Sequence, residues 1–217
     1  MILIPVKNLA NAKQRLSSVL SPAQRLALAR AMCEDVLETL TNWWERPQVA
    51  VVTGDLFAAN LARKFGFAVI ADDSNSGETS AIEMATAVCA DSGVNHTLVI
   101  PADIPLLEVA ELQRIVDTAP SRGTVLAPDA AGRGTNAAWR SPADLFPLQF
   151  GNDSFLPHLA SAEAAGLPCV VLHLPGIARD VDRPEDLLEL ASAAGDRRSQ
   201  RLVRQWNLDA VAQVRCG

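Results

Sequence analysis

The chain has 217 residues, 49% of them hydrophobic, and 19 Lys and Arg stand against 25 Asp and Glu for a formal net charge of −6. That length favours one domain with room for a packed core, and the negative balance argues against nucleic acid or an anionic membrane surface as the partner. No apolar run approaches the roughly 20 residues of a membrane span, and Cys33, Cys89, Cys169 and Cys216 are too far apart for a C-x-x-C metal or redox motif.

The cysteines read as thiols in a reducing cytosol. A strand begins at Ile2, with no basic region or cleavage site before it, so a cytoplasmic location without a secretory signal is expected.

Ile2–Pro5 predicts a strand. Ser21-Pro22 opens a helix, with Ser at the N-cap and Pro at the first helical position. Ala29, Met32, Cys33, Val36 and Leu40 then recur on one face. Val49–Thr53 is a strand, 55–65 a helix and 67–71 a strand. Residues 77–91 form a helix, 97–101 (TLVIP) an apolar strand and 108–118 a helix. Gly123–Pro128 is a strand and 136–140 a further short one. Residues 153–166 form a helix, 169–174 (CVVLHL) a strand and 184–194 the last helix. Residues 1–195 are expected as a single domain, and 196–217 as a polar peripheral tail, helical or frayed.

The strands are continuous apolar runs separated by helices. This is the pattern of a mostly parallel mixed sheet, buried on both faces, in a three-layer Rossmann-like α/β domain. Ligands bind beyond the carboxyl ends of such strands, so chemistry is sought in the segments that follow each one.

Five segments stand out. After the first strand, VKNLANAKQRL places Lys7, Lys13 and Arg15 in one loop; they suit a triphosphate or simply a solvated basic loop. No G-x-x-x-x-G-K-[ST] or G-x-G-x-x-G is present, so neither a P-loop nor a dinucleotide site is expected. PADIPLL holds Asp103 between two prolines, where it could bind Mg²⁺ or organise a turn. In ARDVDRPEDL, Asp180 and Asp182 share one side of an extended segment, and with Asp103 they could surround a divalent metal; the alternative for Asp182 is a helix cap. GRGTN offers close backbone approach beside Thr135 and Asn136, or a plain turn. FGNDSFLPHL sets Gly151 and Ser154 at a helix start, which suits an anion or ordinary capping by Asn152 or Asp153. His96, His158 and His173 read as structural or surface residues. The four tryptophans do not interleave with a basic patch. The Trp43-Trp44 pair marks a candidate homodimer contact.

IPVKNLANAKQRL, LSPAQRLALARAMCEDVL, PADIPLL, GRGTNAAW, FPLQFGNDSFLPHLASAEAAGLP and DVDRPEDL follow one another in this order. The series resembles the guanylyltransferases that make the phosphodiester precursor of coenzyme F420. Those enzymes act on 2-phospho-L-lactate, phosphoenolpyruvate or 3-phosphoglycerate, and the resemblance runs to about Ala194. It implies a nucleotidyltransferase-type fold, GTP as donor, a small phosphorylated carboxylic acid as acceptor, and Mg²⁺. It also implies that Lys13 and the loop from Pro5 and Val6 serve the GTP phosphates, with Thr53, Gly77, Glu78, Ser80 and Pro101 on the nucleotide side. Asp103, Asp180 and Asp182 match the metal-binding carboxylates. Thr135, Gly151 and Ser154, with Asn136 beside them, match the acceptor positions. Two positions depart from the family pattern: Arg183 stands where Thr is usual, and Glu78-Thr79 where Leu-Asn is usual. Other readings are a different nucleotidyltransferase of this fold (although the first loop lacks the glycines those usually carry), a nucleotide-binding regulator without catalysis, and an interaction module.

Overall fold

The structure is a computed structural model that describes residues 1–72, 77–151 and 153–206. Part of the DDSNSGETS segment (73–76), the candidate cap Asn152, and the final 207–217 with Cys216 lie outside the described residues.

The strands are β1 (Ile2–Pro5), β2 (Val49–Thr53), β3 (Ala68–Ala71), β4 (Thr97–Val99), β5 (Gly123–Pro128), β6 (Thr135–Ser141) and β7 (Cys169–Val171). The helices are α1 (Pro22–Thr41), α2 (Leu56–Lys64), α3 (Glu78–Asp91), α4 (Val109–Thr118), α5 (Phe155–Ala164), α6 (Pro184–Ser192) and α7 (Arg198–Gln205). The strands form one sheet in the order β3-β2-β1-β4-β6-β5-β7. All pairings are parallel except those of β6, which runs antiparallel to β4 and β5.

Side chains alternate across the sheet, so each apolar strand feeds two cores. Ile2 and Ile4 pack with Cys33, Val36, Leu37 and Leu40 of α1 and with Leu112 and Ile115 of α4. Leu3 points the other way, toward Ala81, Ile82 and Ala85 of α3 and Ala162 of α5. Each fully buried Ile or Leu contributes about 1.5–3 kcal/mol relative to exposure. Helix α1 starts where the Ser-Pro pair places it. The Ser21 hydroxyl accepts from the Gln24 N–H, and Gln24 Oε1 accepts from the Ser21 N–H, which completes a capping box.

Several bounds differ from the sequence expectation. The strand at 97–101 stops at Val99 because the chain turns out of the sheet before Pro101, which has no N–H to donate. The strand at 169–174 stops at Val171. β6 is central and fully buried, although its sequence, TNAAWRS, is half polar. Its Arg140 is completely buried and donates to the Phe146 carbonyl (2.6 Å) and Thr86 Oγ1 (2.8 Å), with Glu83 as counter-charge at 3.3 Å.

Helix α7 packs against α1 and α6. Its anchor is Asp35, a buried carboxylate in the middle of α1. Asp35 accepts from the Arg198 N–H (3.1 Å), the Ser199 N–H (2.9 Å) and the Ser199 hydroxyl (2.6 Å), and so caps the start of a helix more than 160 residues away. Arg197 donates to Thr39 Oγ1 and to the Leu107 carbonyl, tying α7 to the end of the PADIPLL segment. The Trp43-Trp44 pair divides: Trp43 is buried and donates to Gln113 Oε1 (2.9 Å), whereas Trp44 is 93% exposed. No helix among the described residues is long and apolar enough to cross a membrane.

Candidate active site

β1 and β4 are parallel neighbours at the point where the strand order reverses: β2 and β3 lie to one side of β1, and β4 with its partners to the other. The loops that leave their carboxyl ends therefore open into one crevice. The first loop carries Lys13 between two 3₁₀ turns, Leu9–Asn11 and Gln14–Leu16. Lys13 has a left-handed backbone, φ +58°, which a residue with a Cβ adopts only when its surroundings hold it there. Its side chain is 6% exposed. Nζ donates to Asp103 Oδ2 at 2.5 Å and to Asp182 Oδ1 at 2.7 Å, and Arg15 Nη1 reaches Asp182 Oδ2 at 3.1 Å. Burial alone would lower the pKa of Lys13; the charges of Asp103 and Asp182 and the hydrogen bonds to them outweigh it, so the ammonium is held above its ordinary value. Burial likewise opposes ionisation of Asp182, but Lys13 and Arg15 hold its carboxyl below the usual range.

The site still carries a surplus of carboxylate. Burial, reinforced by the charges of Asp103 and Asp182, pushes Asp180 up to about 6, against a hydrogen bond from Asn136 Nδ2 (3.0 Å) that works the other way. Burial and Asp103 push Glu78 up to about 7, opposed by Lys7 and Lys13. Asn136 Nδ2 also donates to the Ile177 carbonyl (2.9 Å), which fixes the start of β6 to the segment after β7.

Two cavities meet at these carboxylates. A cavity of about 340 Å³ lies against the loop after β1 and is lined by Pro5, Val6, Lys7, Leu9 and Lys13, among others. A cleft of about 650 Å³ lies on the far side and holds Asp180, Asp182, Thr135, Asn136, Gly151 and Ser154. Glu78, Pro101 and Asp103 line both. A ligand filling each cavity would therefore meet the other beside Asp103.

The far end of the cleft is built from two hydroxyls with fixed roles. The Thr135 N–H donates to Ser154 Oγ (3.1 Å), and Thr135 Oγ1 lies 2.9 Å from Nδ1 of His158. The glycines of GRGTN serve a tight turn. Asp129 accepts from the N–H groups of Arg133 and Gly134 (both 2.8 Å), and a Cβ on Gly134 would sit 2.9 Å from Asp129 Oδ2. Gly151, with φ +147°, holds a backbone shape that side chains disfavour. The cationic side chains on the cleft are Arg15, Arg133, Arg179 and Arg183.

The structure brings together most of the residues singled out in the sequence, though not all. Thr53, Gly77 and Ser80 line neither cavity. Thr53 is buried and donates to the Val6 carbonyl at 2.6 Å, so it braces the base of the loop after β1 from beneath; Ser80 is exposed on α3. Gly77 is the N-cap of α3, beside Glu78. Lys7 is exposed at the rim of the smaller cavity and makes no ion pair with the carboxylates, unlike Lys13. The sequence does not single out Arg133 and Arg179, which lie on the cleft, although each falls inside a flagged motif, GRGTN and ARDVDRPEDL. His158 was read as structural or surface, and it is buried against a cleft residue.

The family description "Guanylyl transferase CofC like" matches residues 1–214. The chain belongs to this family. A phosphoenolpyruvate guanylyltransferase of Roseiflexus sp. (strain RS-1) is 37% identical over 94% of this chain and 90% of its own. A 3-phospho-D-glycerate guanylyltransferase of Colwellia psychrerythraea is 33% identical over 88% of this chain and 90% of its own, and a 2-phospho-L-lactate guanylyltransferase of Methanothermobacter thermautotrophicus is 33% identical over 87% of this chain and 82% of its own. Among solved structures, a nucleotidyl transferase from Methanothermobacter shares the fold with a TM-score of 0.58 at 18% identity, covering 94% of this chain and 99% of its own. The guanylyltransferase relatives and the nucleotidyltransferase fold agree with the family resemblance visible in the motif order.

Proposed function

We propose that this chain transfers the GMP moiety of GTP to the phosphate of a three-carbon phospho-acid (2-phospho-L-lactate, phosphoenolpyruvate or 3-phosphoglycerate) and releases pyrophosphate, a step of coenzyme F420 biosynthesis. The observation that carries the reading is Lys13, buried between Asp103 and Asp182 where the two cavities join. On this reading GTP occupies the smaller cavity, along the loop from Pro5 to Lys13. The phospho-acid occupies the larger, with Thr135, Asn136, Gly151 and Ser154.

An acceptor phosphate oxygen attacks the α-phosphorus and forms the new P–O bond, and the bond from that phosphorus to the β-phosphate oxygen breaks. The acceptor is already ionised, so no general base is needed, and catalysis rests on positioning and charge. Lys13, with Lys7 and Arg15, offsets the negative charge that builds on the departing pyrophosphate.

The donor chemistry of the site fits Mg²⁺. Asp103, Asp180 and Asp182 are hard oxygen donors, and the Asp180 carboxyl, raised chiefly by burial, also feels the negative charges of Asp103 and Asp182. Among the described residues no three such groups converge on one point, since the Lys13 ammonium bridges two of them. Bound there, the cation would supply further charge neutralisation at the α-phosphate.

The test is pyrophosphate release with Mg²⁺, with GTP, ATP, CTP and UTP each run against the three phospho-acids. GTP with one acceptor should release pyrophosphate well above every other combination. GTP binding without release in any combination would overturn the reading in favour of a regulator.

A further inference from the structure

His158 lies on α5 behind the far end of the cleft and is 1% exposed. Its ring stands edge-on to Phe150, with centroids 5.4 Å apart, and tilted to Phe146 at 6.5 Å. Its Nε2 is 2.8 Å from the Gln149 N–H. A backbone N–H can only donate, so Nε2 is the acceptor and carries no proton. The neutral ring must then hold its proton on Nδ1, which faces Thr135 Oγ1 at 2.9 Å. The Thr135 hydroxyl accepts that bond, and its own proton remains for another acceptor. Burial and the charge of Arg140 keep the ring neutral, with a pKa down at about 4.

The same logic holds one step further along. Ser154 Oγ accepts from the Thr135 N–H, so its proton too is left to donate. Thr135 and Ser154 both line the cleft. Both hydroxyls are thus turned into donors by protein groups behind them, which suits a carboxylate or phosphate that can only accept. His158 also holds the Gln149 backbone, immediately before Phe150 and Gly151 on the same cleft. One ring therefore ties the start of β6 to the segment that faces it.

We propose that His158 is a positioning residue for the acceptor: its Nδ1–H fixes the Thr135 hydroxyl as a donor to the anionic end of the phospho-acid, while Nε2 holds the opposite wall in place. The inference rests on the acceptor assignment made above. It sets His158 apart from a core histidine that merely fills space, because it assigns the two nitrogens separate tasks.

The two tasks can be separated by substitution. His158→Asn keeps an N–H near the Nδ1 position but has nothing to reach the Gln149 N–H. His158→Phe keeps the ring and loses both bonds. Steady-state pyrophosphate release would be measured for both, varying GTP and acceptor separately, with Thr135→Val as a variant that leaves His158 in place. His158→Phe and Thr135→Val should each raise the acceptor KM by about 10- to 100-fold and leave the GTP KM within about twofold. His158→Asn should recover much of the acceptor KM lost in His158→Phe. In the Thr135→Val background, His158→Phe should add less than it does alone, because the Nδ1 bond is already gone and only the bond from the Gln149 N–H is newly lost. Equal rises in both KM values, or full additivity of the two substitutions, would overturn the proposal. If the histidine variants do not fold, Thr135→Val alone decides: an unchanged acceptor KM overturns it.

A second readout does not depend on turnover. ¹⁵N spectra of the histidine-labelled wild-type protein should show His158 as the Nδ1–H tautomer near neutral pH, and the Nε2–H tautomer or a charged ring would sink the inference whatever the activity. An inactive wild type with the expected tautomer would instead count against the acceptor assignment on which the proposal rests, and the proposal would fall with it.

Discussion

Replacing Lys13 with Ala tests the centre of the proposed mechanism. Its Nζ lies 2.5 and 2.7 Å from two carboxylate oxygens. At an effective dielectric of about 20, each pair is worth about 6 kcal/mol of gross Coulomb attraction. Desolvation of the buried ammonium offsets most of that. Truncation leaves Asp103 and Asp182 facing each other and Asp180 without a cation between them. The two paired carboxylates are 30% and 35% exposed, so water recovers part of the loss. The net cost to the folded protein is then about 2–3 kcal/mol, below what a fully buried pair would lose. Thermal melting without ligands should show Lys13→Ala lowered by about 5–10 °C. Added Mg²⁺ should raise the melting temperature of the variant more than that of the wild type, since a divalent cation can replace the missing charge among the same carboxylates. Turnover at saturating GTP should fall by about 10²- to 10³-fold, the scale of losing a charge aimed at the transition state. Turnover within threefold of wild type, in a variant whose circular dichroism is unchanged, would refute the role given to this residue. A variant that melts as the wild type does would refute the electrostatic account of the pair.

Two further predictions concern the frame around the site. Asp35→Ala removes three hydrogen bonds at the start of α7, two of them buried, and should cost about 2–3 kcal/mol, read as a lower urea midpoint; an unchanged midpoint would mean that α7 contributes little to the fold. Glu38 is hydrogen-bonded by Arg198, which holds its carboxyl below its ordinary value near 4.5. A depressed carboxylate stabilises the fold above its unfolded pKa, and that stability is lost as pH falls through the folded pKa. Urea melts below about pH 5 should therefore show a steeper loss in the wild type than in Arg198→Ala; identical slopes would remove the pair from the acid response.

The cleft was legible in part because its chemistry sits where short sequence signals and topology coincide. A basic loop after the first strand, an Asp between prolines and an Asp-x-Asp before a helix are all visible in a linear reading. Lys13 could be named, but not its pairing with Asp103 and Asp182, 90 and 169 residues away: the adjacency of β1 and β4 brings in Asp103, and the segment after β7 joins them through the Val181 N–H, which donates to the Asp103 carbonyl. Thr53 closes β2 and the resemblance put it on the nucleotide side, yet its hydroxyl turns back to the Val6 carbonyl. His158 gave no signal, because a lone histidine in a helix looks the same whether it fills space or sets the role of a neighbouring hydroxyl.

Apolar runs long enough for buried strands, separated by amphipathic helices, determined the layered α/β class, because burial on two faces demands that pattern locally. The order of motifs carried the family. Tertiary structure decided which strand lies beside which, that half-polar β6 is central, that a mid-helix Asp35 caps α7, and which nitrogen of His158 holds the proton. Each of these depends on a partner far away in the chain, and a hydrogen bond or ion pair has no sequence signature until the fold supplies the other half.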